Sequence, residues 1–353
     1  MSNIVASHLP VTLLTGFLGS GKTTVLNRLL SQPQMSDTAV IINEFGEIGI
    51  DHLLVEAVDE NLRVLNSGCL CCTVRGDLVD TLGDLYARRE RDEIPAFKRV
   101  VIETTGLADP APVLHTLMVD VDVTSHYRLD AVVATVDGVN GEATLDFHAE
   151  ALKQAAVADH LLITKTDLVA SDALARLSTR LRTLNPTARQ RRVLDGLVSA
   201  SYLFDADAYD PLRKSADVRL WLAHEEHKNA HQHHGHHHHD LNRHDDRIRA
   251  HCIVLDEPVP EAAFTHWLDL IASMRGERLL RVKGLVQLVE QPDEPLVVHG
   301  VQHVFHPPQR LRAWPSSDRR TRLVFITQDM DHAEIARTFE KFAGVRPDIA
   351  LSL

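Results

Sequence analysis

Residues Gly16-Phe17-Leu18-Gly19-Ser20-Gly21-Lys22-Thr23-Thr24 follow the pattern G-x-x-x-x-G-K-[ST], and their surroundings narrow what the chain can fold into. Val11 to Thr15, just before them, is a short apolar run rich in β-favouring residues. Val25 to Leu30, just after, continues as an apolar helical pattern. In a strand–loop–helix unit of this kind, backbone N–H groups wrap a phosphate and the helix N-terminus adds a favourable dipole. Lys22 would reach the β- and γ-phosphates, and the Thr23 hydroxyl would ligate Mg²⁺. Gly16, Gly19, Ser20, Gly21 and Thr24 complete the expected phosphate-binding set.

A second strand is expected over Thr38 to Ile42, leading into Asn43 to Asp51. That acidic, glycine-bearing stretch carries Glu44 and Glu47 and stands where a switch segment would sit; a merely solvated loop is the alternative. A short strand, Leu62 to Leu65, then delivers the chain to Gly68-Cys69-Leu70-Cys71-Cys72, which holds three of the four cysteines. The helical spacing of Leu78, Val79, Leu82, Leu85 and Tyr86 follows, over Arg75 to Arg89. The cysteines therefore open a helix, where thiolates are electrostatically favoured. Soft thiolates suit Zn²⁺ and Cu⁺. Three sulfurs leave one tetrahedral position that Glu44 or Glu47 could fill, while three buried structural thiols are the competing reading.

Arg99 to Gly106 reads as an apolar strand ending in an acid and a glycine, the Walker B arrangement. Glu103 would hold Mg²⁺ through water or position the attacking water, and the Gly106 N–H would sense the γ-phosphate. Asp109-Pro110 predicts a helix start with an N-cap and an N1 proline. Asp130 to Val136 is a further buried strand, Ala149 to Ala158 a helix, and His160 to Asp167 a strand whose tail resembles N-K-x-D. There Asp167 would accept hydrogen bonds from a guanine ring and the Lys165 stem would cover it, with Thr164 in place of the usual Asn. A helix over Ser171 to Leu184 and a last strand over Arg189 to Leu194 complete an α/β domain with a mainly parallel sheet and the nucleotide at the strand C-terminal ends.

From Trp221 to Arg247 the composition changes. Eleven of the 22 histidines fall between His224 and His251, and the segment has few apolar residues. It is expected to be a disordered linker. His233, His234, His236, His237, His238 and His239 would form a low-specificity metal reservoir, or the tract is only a polar spacer. Strands expected over Arg249–Leu255, Leu279–Val289, Leu296–Phe305 and Leu323–Thr327, with helices over Glu261–Met274 and Ala333–Phe342, make a small α+β domain. The division is 1–218, 219–247 and 248–353.

The order Gly16–Thr24, Asn43–Asp51, Gly68–Cys72, Glu103–Asp109, Thr164–Asp167 resembles the CobW-type P-loop GTPases over essentially the whole chain, and the GCLCC segment is its specific part. The resemblance implies a P-loop NTPase fold and GTP-dependent delivery of a metal, most often zinc. Cys69, Cys71 and Cys72 would be the metal motif, with Glu44 and Glu47 as switch acids. It implies GTP, Mg²⁺ and Zn²⁺ as cofactors, with Co²⁺ or Ni²⁺ as alternatives, a client metalloprotein, and a homodimer as one possible assembly. Two rivals stay open: a P-loop small-molecule kinase or ATPase with a structural zinc, and a His-rich metal buffer.

A formal net charge of −12 argues against non-specific nucleic-acid binding. No apolar run reaches the ~18 residues needed to span a bilayer, and Met1 to Pro10 lacks the pattern of a secretory signal. A cytoplasmic protein without membrane or nucleic-acid partners is the expectation.

Overall fold

The computed structural model describes residues 8–43, 63–67, 74–204, 247–305, 309–344 and 348–350. The chain divides into two compact units, Met1–Thr179 with Ala188–Asp205, and Arg180–Thr187 with Ala206–Leu353. The boundary expected at 218 falls outside the described residues.

The first unit is built on a seven-stranded sheet in the order β3-β2-β4-β1-β5-β6-β7, with every pair parallel. Its strands are β1 (Leu9–Gly16), β2 (Thr38–Asn43), β3 (Arg63–Ser67), β4 (Arg99–Glu103), β5 (Tyr127–Asp137), β6 (His160–Thr164) and β7 (Arg189–Arg192). Strands covered on both faces must be apolar almost throughout. β1, β4, β5 and β6 are, and their residues are nearly all buried. Leu14, Val40, Val101, Val133 and Leu162 join Val25, Leu26 and Leu29 of helix α1 (Lys22–Leu30) in one core cluster. β7, expected to reach Leu194, ends at Arg192. Its sequence Arg-Gln-Arg-Arg suits a half-exposed edge strand, which resists further pairing. Helix α2 (Val74–Glu90) follows the cysteine segment in sequence.

The helix after β4 is assigned from Ala111 to Val119, one residue later than Asp109-Pro110 predicts. The capping bond itself is present, because the Asp109 carboxylate accepts from the Ala111 N–H at 3.0 Å. That is the bond an N-cap residue makes to the second helical position.

The second unit is an antiparallel sheet in the order β11-β10-β9-β13-β8-β14, with β12 (Gln309–Arg310) beside β10. The other strands are β8 (Ile248–Leu255), β9 (Leu279–Val286), β10 (Leu296–Val301), β11 (Val304–Phe305), β13 (Thr321–Gln328) and β14 (Asp348–Ala350). The single strand expected over Leu296–Phe305 is instead a hairpin. Gln302 adopts φ 52° and turns the chain, so that Gly300 pairs with Phe305. Residues of the helices Glu261–Arg275 and His332–Ala343 share one core with the sheet, centred on the fully buried Trp267. Its ring meets Phe339 at 4.6 Å and Phe325 at 5.8 Å, both edge-on, and its indole N–H donates to Thr338 Oγ1 at 3.2 Å.

Gly284, in the segment Arg281-Val282-Lys283-Gly284, sits opposite Leu323 where a Cβ would run into the Arg322 carbonyl oxygen. A backbone oxygen cannot swing aside, so Gly284→Ala should force the central β9–β13 pair apart. The expected loss is at least about 2 kcal/mol, in the range of overpacked core sites, read as a lowered thermal midpoint of the second unit.

Candidate functional site

Register fixes the site. Leu14 of β1 lies beside Glu103 of β4, Gly16 beside Thr135 of β5, and Asp137 beside Thr164 of β6. The loop leaving β1 therefore passes over the C-terminal ends of three neighbouring strands. Gly16 has φ 139°, and a Cβ there would strike the Thr135 hydroxyl and carbonyl oxygens. Only glycine fits that crossing.

Threonines at the ends of those strands hold the loop. Thr104 Oγ1 donates to Thr15 Oγ1 at 2.8 Å. The Ser20 and Thr135 hydroxyls share a hydrogen bond of 2.6 Å. Thr164 Oγ1 donates to the Ser20 carbonyl at 2.7 Å. The loop then enters α1 through Gly21, whose φ is 90°; Gly19 also has positive φ.

Lys22 is buried, and its Nζ donates to the carbonyls of Gly16 at 2.7 Å and Phe17 at 3.1 Å, which hold the ammonium over its own loop. Thr23 Oγ1 donates to Glu103 Oε1 at 3.1 Å, and Glu103 is 5% exposed. A hydroxyl and a carboxylate are hard oxygen donors of the kind Mg²⁺ takes, so this pair fits that ion. Thr24 is exposed, and its carbonyl lies against the turn at Asp195-Gly196 that follows β7. Gly106 packs so closely on the loop that a Cβ would stand 2.6 Å from the Leu18 nitrogen.

At the β6 end, Lys165 adopts φ 52° and its Nζ reaches Asp137 Oδ2 at 2.8 Å. Asp137 also accepts from the Val139 N–H at 2.8 Å and from Asn140 Nδ2 at 3.1 Å. Burial raises the Asp137 pKa, but the bonds from Lys165, Val139 and Asn140 and the Lys165 charge outweigh it, leaving the carboxyl below its usual value. Asp167 is exposed in the short turn Thr166–Leu168. Thr166 Oγ1 donates at 3.4 Å to the carbonyl of Val193 at the end of β7. Lys165 and Asp167 thus stand next to the turn at 194–197, in which Asp195 and Gly196 both have positive φ.

The structure thereby gathers Gly16, Gly19, Ser20, Gly21, Lys22 and Thr23 with Glu103 and Gly106, and brings Lys165 to the same edge. Sequence reasoning missed Asp137, Thr135 and Gln154. The last is buried and donates to the Gly106 and Ala108 carbonyls. The recurrence of a threonine at or just past the end of each apolar run was a usable signal for part of this. Cys69, Cys71, Cys72, Glu44, Glu47, His233, His234 and His236 to His239 lie outside the described residues. Among the described residues no cluster of His, Cys, Asp and Glu is arranged to hold a metal ion, and Cys252 is a buried thiol of β8. No helix among them is long and apolar enough to cross a membrane.

Two family models match: the CobW/HypB/UreG nucleotide-binding domain over residues 10–191, and the cobalamin synthesis protein CobW C-terminal domain over residues 248–343. The zinc chaperone YjiA of Escherichia coli K12 is 31% identical over 338 residues, covering 95% of this chain and 98% of that protein. The crystal structure of Zn(II)-bound YjiA GTPase from E. coli superposes with a TM-score of 0.71 at 27% identity, covering 95% of this chain and 99% of that one. A YjiA triple mutant, with one glutamate and two cysteines changed to alanine, is likewise described as Zn(II)-bound and gives a TM-score of 0.72 at 28% identity, covering 96% of this chain and 99% of that one.

Asp137→Asn removes the charge that holds Lys165 and should weaken guanine-nucleotide affinity about tenfold, the scale of one charge-assisted hydrogen bond, as measured by fluorescent-nucleotide titration. The pH dependence has a definite sign. A depressed carboxyl stabilises fully above its ordinary value near ~3.9 and loses that contribution only as pH falls through the lower folded value. Asp137 should therefore add no pH dependence to nucleotide affinity between about pH 5 and 8.

Proposed function

The chain belongs to the CobW/HypB/UreG family of nucleotide-binding proteins and carries the CobW C-terminal domain, and from that premise we propose a GTP-hydrolysing metallochaperone whose cargo is zinc. One observation carries the nucleotide half: Lys22, Thr23 and Glu103 converge where β1 and β4 run in register. In hydrolysis, water attacks the γ-phosphorus and the bond to the β–γ bridging oxygen breaks, leaving GDP and phosphate. Lys22 and the loop N–H groups stabilise the charge on the phosphate oxygens. Thr23 and Glu103 would hold Mg²⁺, which neutralises phosphate charge when bound. Glu103 also orients the water, and Gly106 presents its N–H to the γ-phosphate. Lys165 and Asp167 select guanine.

For the metal half the ligands are Cys69, Cys71 and Cys72, with Glu44 or Glu47 as the fourth. The support is chemical and topological. Soft thiolates suit zinc, the related YjiA is named a zinc chaperone, and its crystal structure is described as Zn(II)-bound. Asn43 and Ser67, which precede Glu44 and Gly68-Cys69 in sequence, are register partners on neighbouring strands, and Ile42 beside them pairs with Glu103. Both candidate ligand segments thus depart from the edge that carries the Mg²⁺ acid. On this reading a γ-phosphate contact would alter zinc affinity, and linkage would make the effect mutual. Transfer to a client metalloprotein would follow a change of nucleotide state, and the histidine tract (His233, His234, His236–His239) would serve as a reservoir.

Zinc in the preparation does not by itself test the motif, since the alanine-substituted YjiA is also Zn(II)-bound. Zinc affinity, measured against a competing chelator, should differ at least about tenfold between GDP and a non-hydrolysable GTP analogue, the lower part of the usual coupling range. Equal affinities would sink the coupling. Cys71→Ala should remove the nucleotide-sensitive zinc while leaving GTP hydrolysis in place. Lys22→Ala should lower kcat about 10²-fold or more, the scale of losing a major charge-stabilising donor, in a phosphate-release assay.

A further inference from the structure

Helix α6 (Ala149–Val157) supplies no phosphate ligand, yet one of its side chains is spent on the segment that follows Glu103. Gln154 is 1% exposed, and its Nε2 donates to the Gly106 carbonyl at 3.1 Å and to the Ala108 carbonyl at 3.0 Å. An amide nitrogen has two hydrogens, so both are used on one loop, and two facing acceptors fix which end of the amide meets them. Its neighbour Lys153 adds a bond of 2.6 Å to the Asp109 carboxylate. On the other side, the Gly106 backbone already abuts Leu18 of the phosphate loop. Residue 106 is therefore pinched between that loop and Gln154. The Gln154 side chain also lines a cavity of ≈ 20 Å³ with Phe17, Leu18, Ser20 and Thr135. That is room for about one water-sized group. Its Oε1 is buried and makes no hydrogen bond to the described residues.

We propose that Gln154 is a positioning residue for GTP hydrolysis: its amide clasps the Gly106 and Ala108 carbonyls and so sets how residue 106 faces the γ-phosphate. The inference rests on the GTP-hydrolysing reading above and extends it to a helix that touches no phosphate. Fixing the Gly106 carbonyl fixes the plane of the 106–107 peptide, and the close packing of Gly106 on Leu18 then limits how far the preceding peptide, which carries the Gly106 N–H, can turn. The clasp should be indifferent to a diphosphate, which lacks the γ-phosphate that residue 106 would meet, and should matter for a triphosphate. It also makes α6 a second element that shifts when the γ-phosphate arrives or leaves.

The test uses the full-length protein carrying Gln154→Met, which keeps length and apolar bulk, or Gln154→Glu, which turns an acceptor toward the two carbonyls. Either change should lower kcat about tenfold, the scale of one buried hydrogen bond. It should weaken a non-hydrolysable GTP analogue by a similar factor and leave GDP affinity within about twofold. A folded variant with unchanged kcat and an unchanged analogue-to-GDP affinity ratio overturns the proposal. So does an equal loss of both affinities alongside a lowered melting temperature, which marks a structural role only. Hydrogen exchange on the unaltered protein needs no variant. The analogue should change protection at 106–109 and 150–157 together, and a change confined to 106–109 overturns the clasp. If the unaltered protein fails to hydrolyse GTP, the GTPase reading falls, while the affinity ratio and the exchange pattern still decide the role of Gln154.

Discussion

The nucleotide end of this protein depends on a row of buried hydroxyls. Thr104, Thr135 and Thr164 stand at the ends of three parallel strands, and each ties down the phosphate loop through Thr15 or Ser20. A glycine-rich loop has little side-chain packing to hold it, and glycine loses the most backbone freedom on folding. Each hydroxyl bond adds only about 1 kcal/mol net, but an unpaired buried partner costs about 1–3 kcal/mol. The array therefore acts less as an adhesive than as a geometric lock. The loop is satisfied in one position, above strand ends whose spacing the sheet dictates. Lys22 depends on that lock as well, because the Gly16 and Phe17 carbonyls that hold its ammonium belong to the locked loop.

The same array bears on the unusual Thr164. An asparagine is the ordinary residue before the lysine of such a motif. Thr164 is buried, and its hydroxyl reaches both the Ser20 carbonyl and, at 3.3 Å, the Val136 carbonyl. The link from the base-reading loop to the phosphate loop therefore survives in a shorter side chain. Ser20 joins the two halves: its hydroxyl is bonded to β5 and its carbonyl to β6. Thr164 is therefore a structural tie between β6 and the phosphate loop. In the proposed function base choice rests on Lys165 and Asp167, not on Thr164.

Much of this was legible from pattern alone, for identifiable reasons. The strands of a doubly covered parallel sheet are continuous apolar runs, so β1, β4, β5 and β6 announced themselves, and Lys22, Thr23 and Glu103 were fixed by their offsets from those runs. Features set by long-range pairing were not legible. Asp137 follows an apolar strand and reads as an ordinary strand end; its role exists only because β5 and β6 are neighbours in register. Gln154 sits in a helix of modest amphipathicity, and no spacing rule says that its amide will find carbonyls more than forty residues away. The hairpin at Gln302 was missed because a left-handed non-glycine residue leaves no mark in an apolar run. The need for glycine at 284 was not legible either, because its reason, the carbonyl oxygen of Arg322, belongs to another strand.

These pieces fit a single mechanical argument. A γ-phosphate can be sensed only by groups that its absence leaves in a different place, so the sensor must be the least locked part of a locked site. The phosphate loop is fixed by three strand ends, and Glu103 lies at the end of a buried strand. The segment after it, Gly106 to Asp109, is held from one helix by side chains alone, Gln154 and Lys153. Side-chain bonds of this kind exchange more readily than sheet pairing, because rotating one amide releases two carbonyls without disturbing a ladder. Asn43 and Ser67, the last residues of β2 and β3, are register partners, and the acidic and cysteine segments follow them in sequence. Glu103, in register with Leu14 of β1 on one side and Ile42 of β2 on the other, is the fixed point from which the Gly106–Asp109 segment departs.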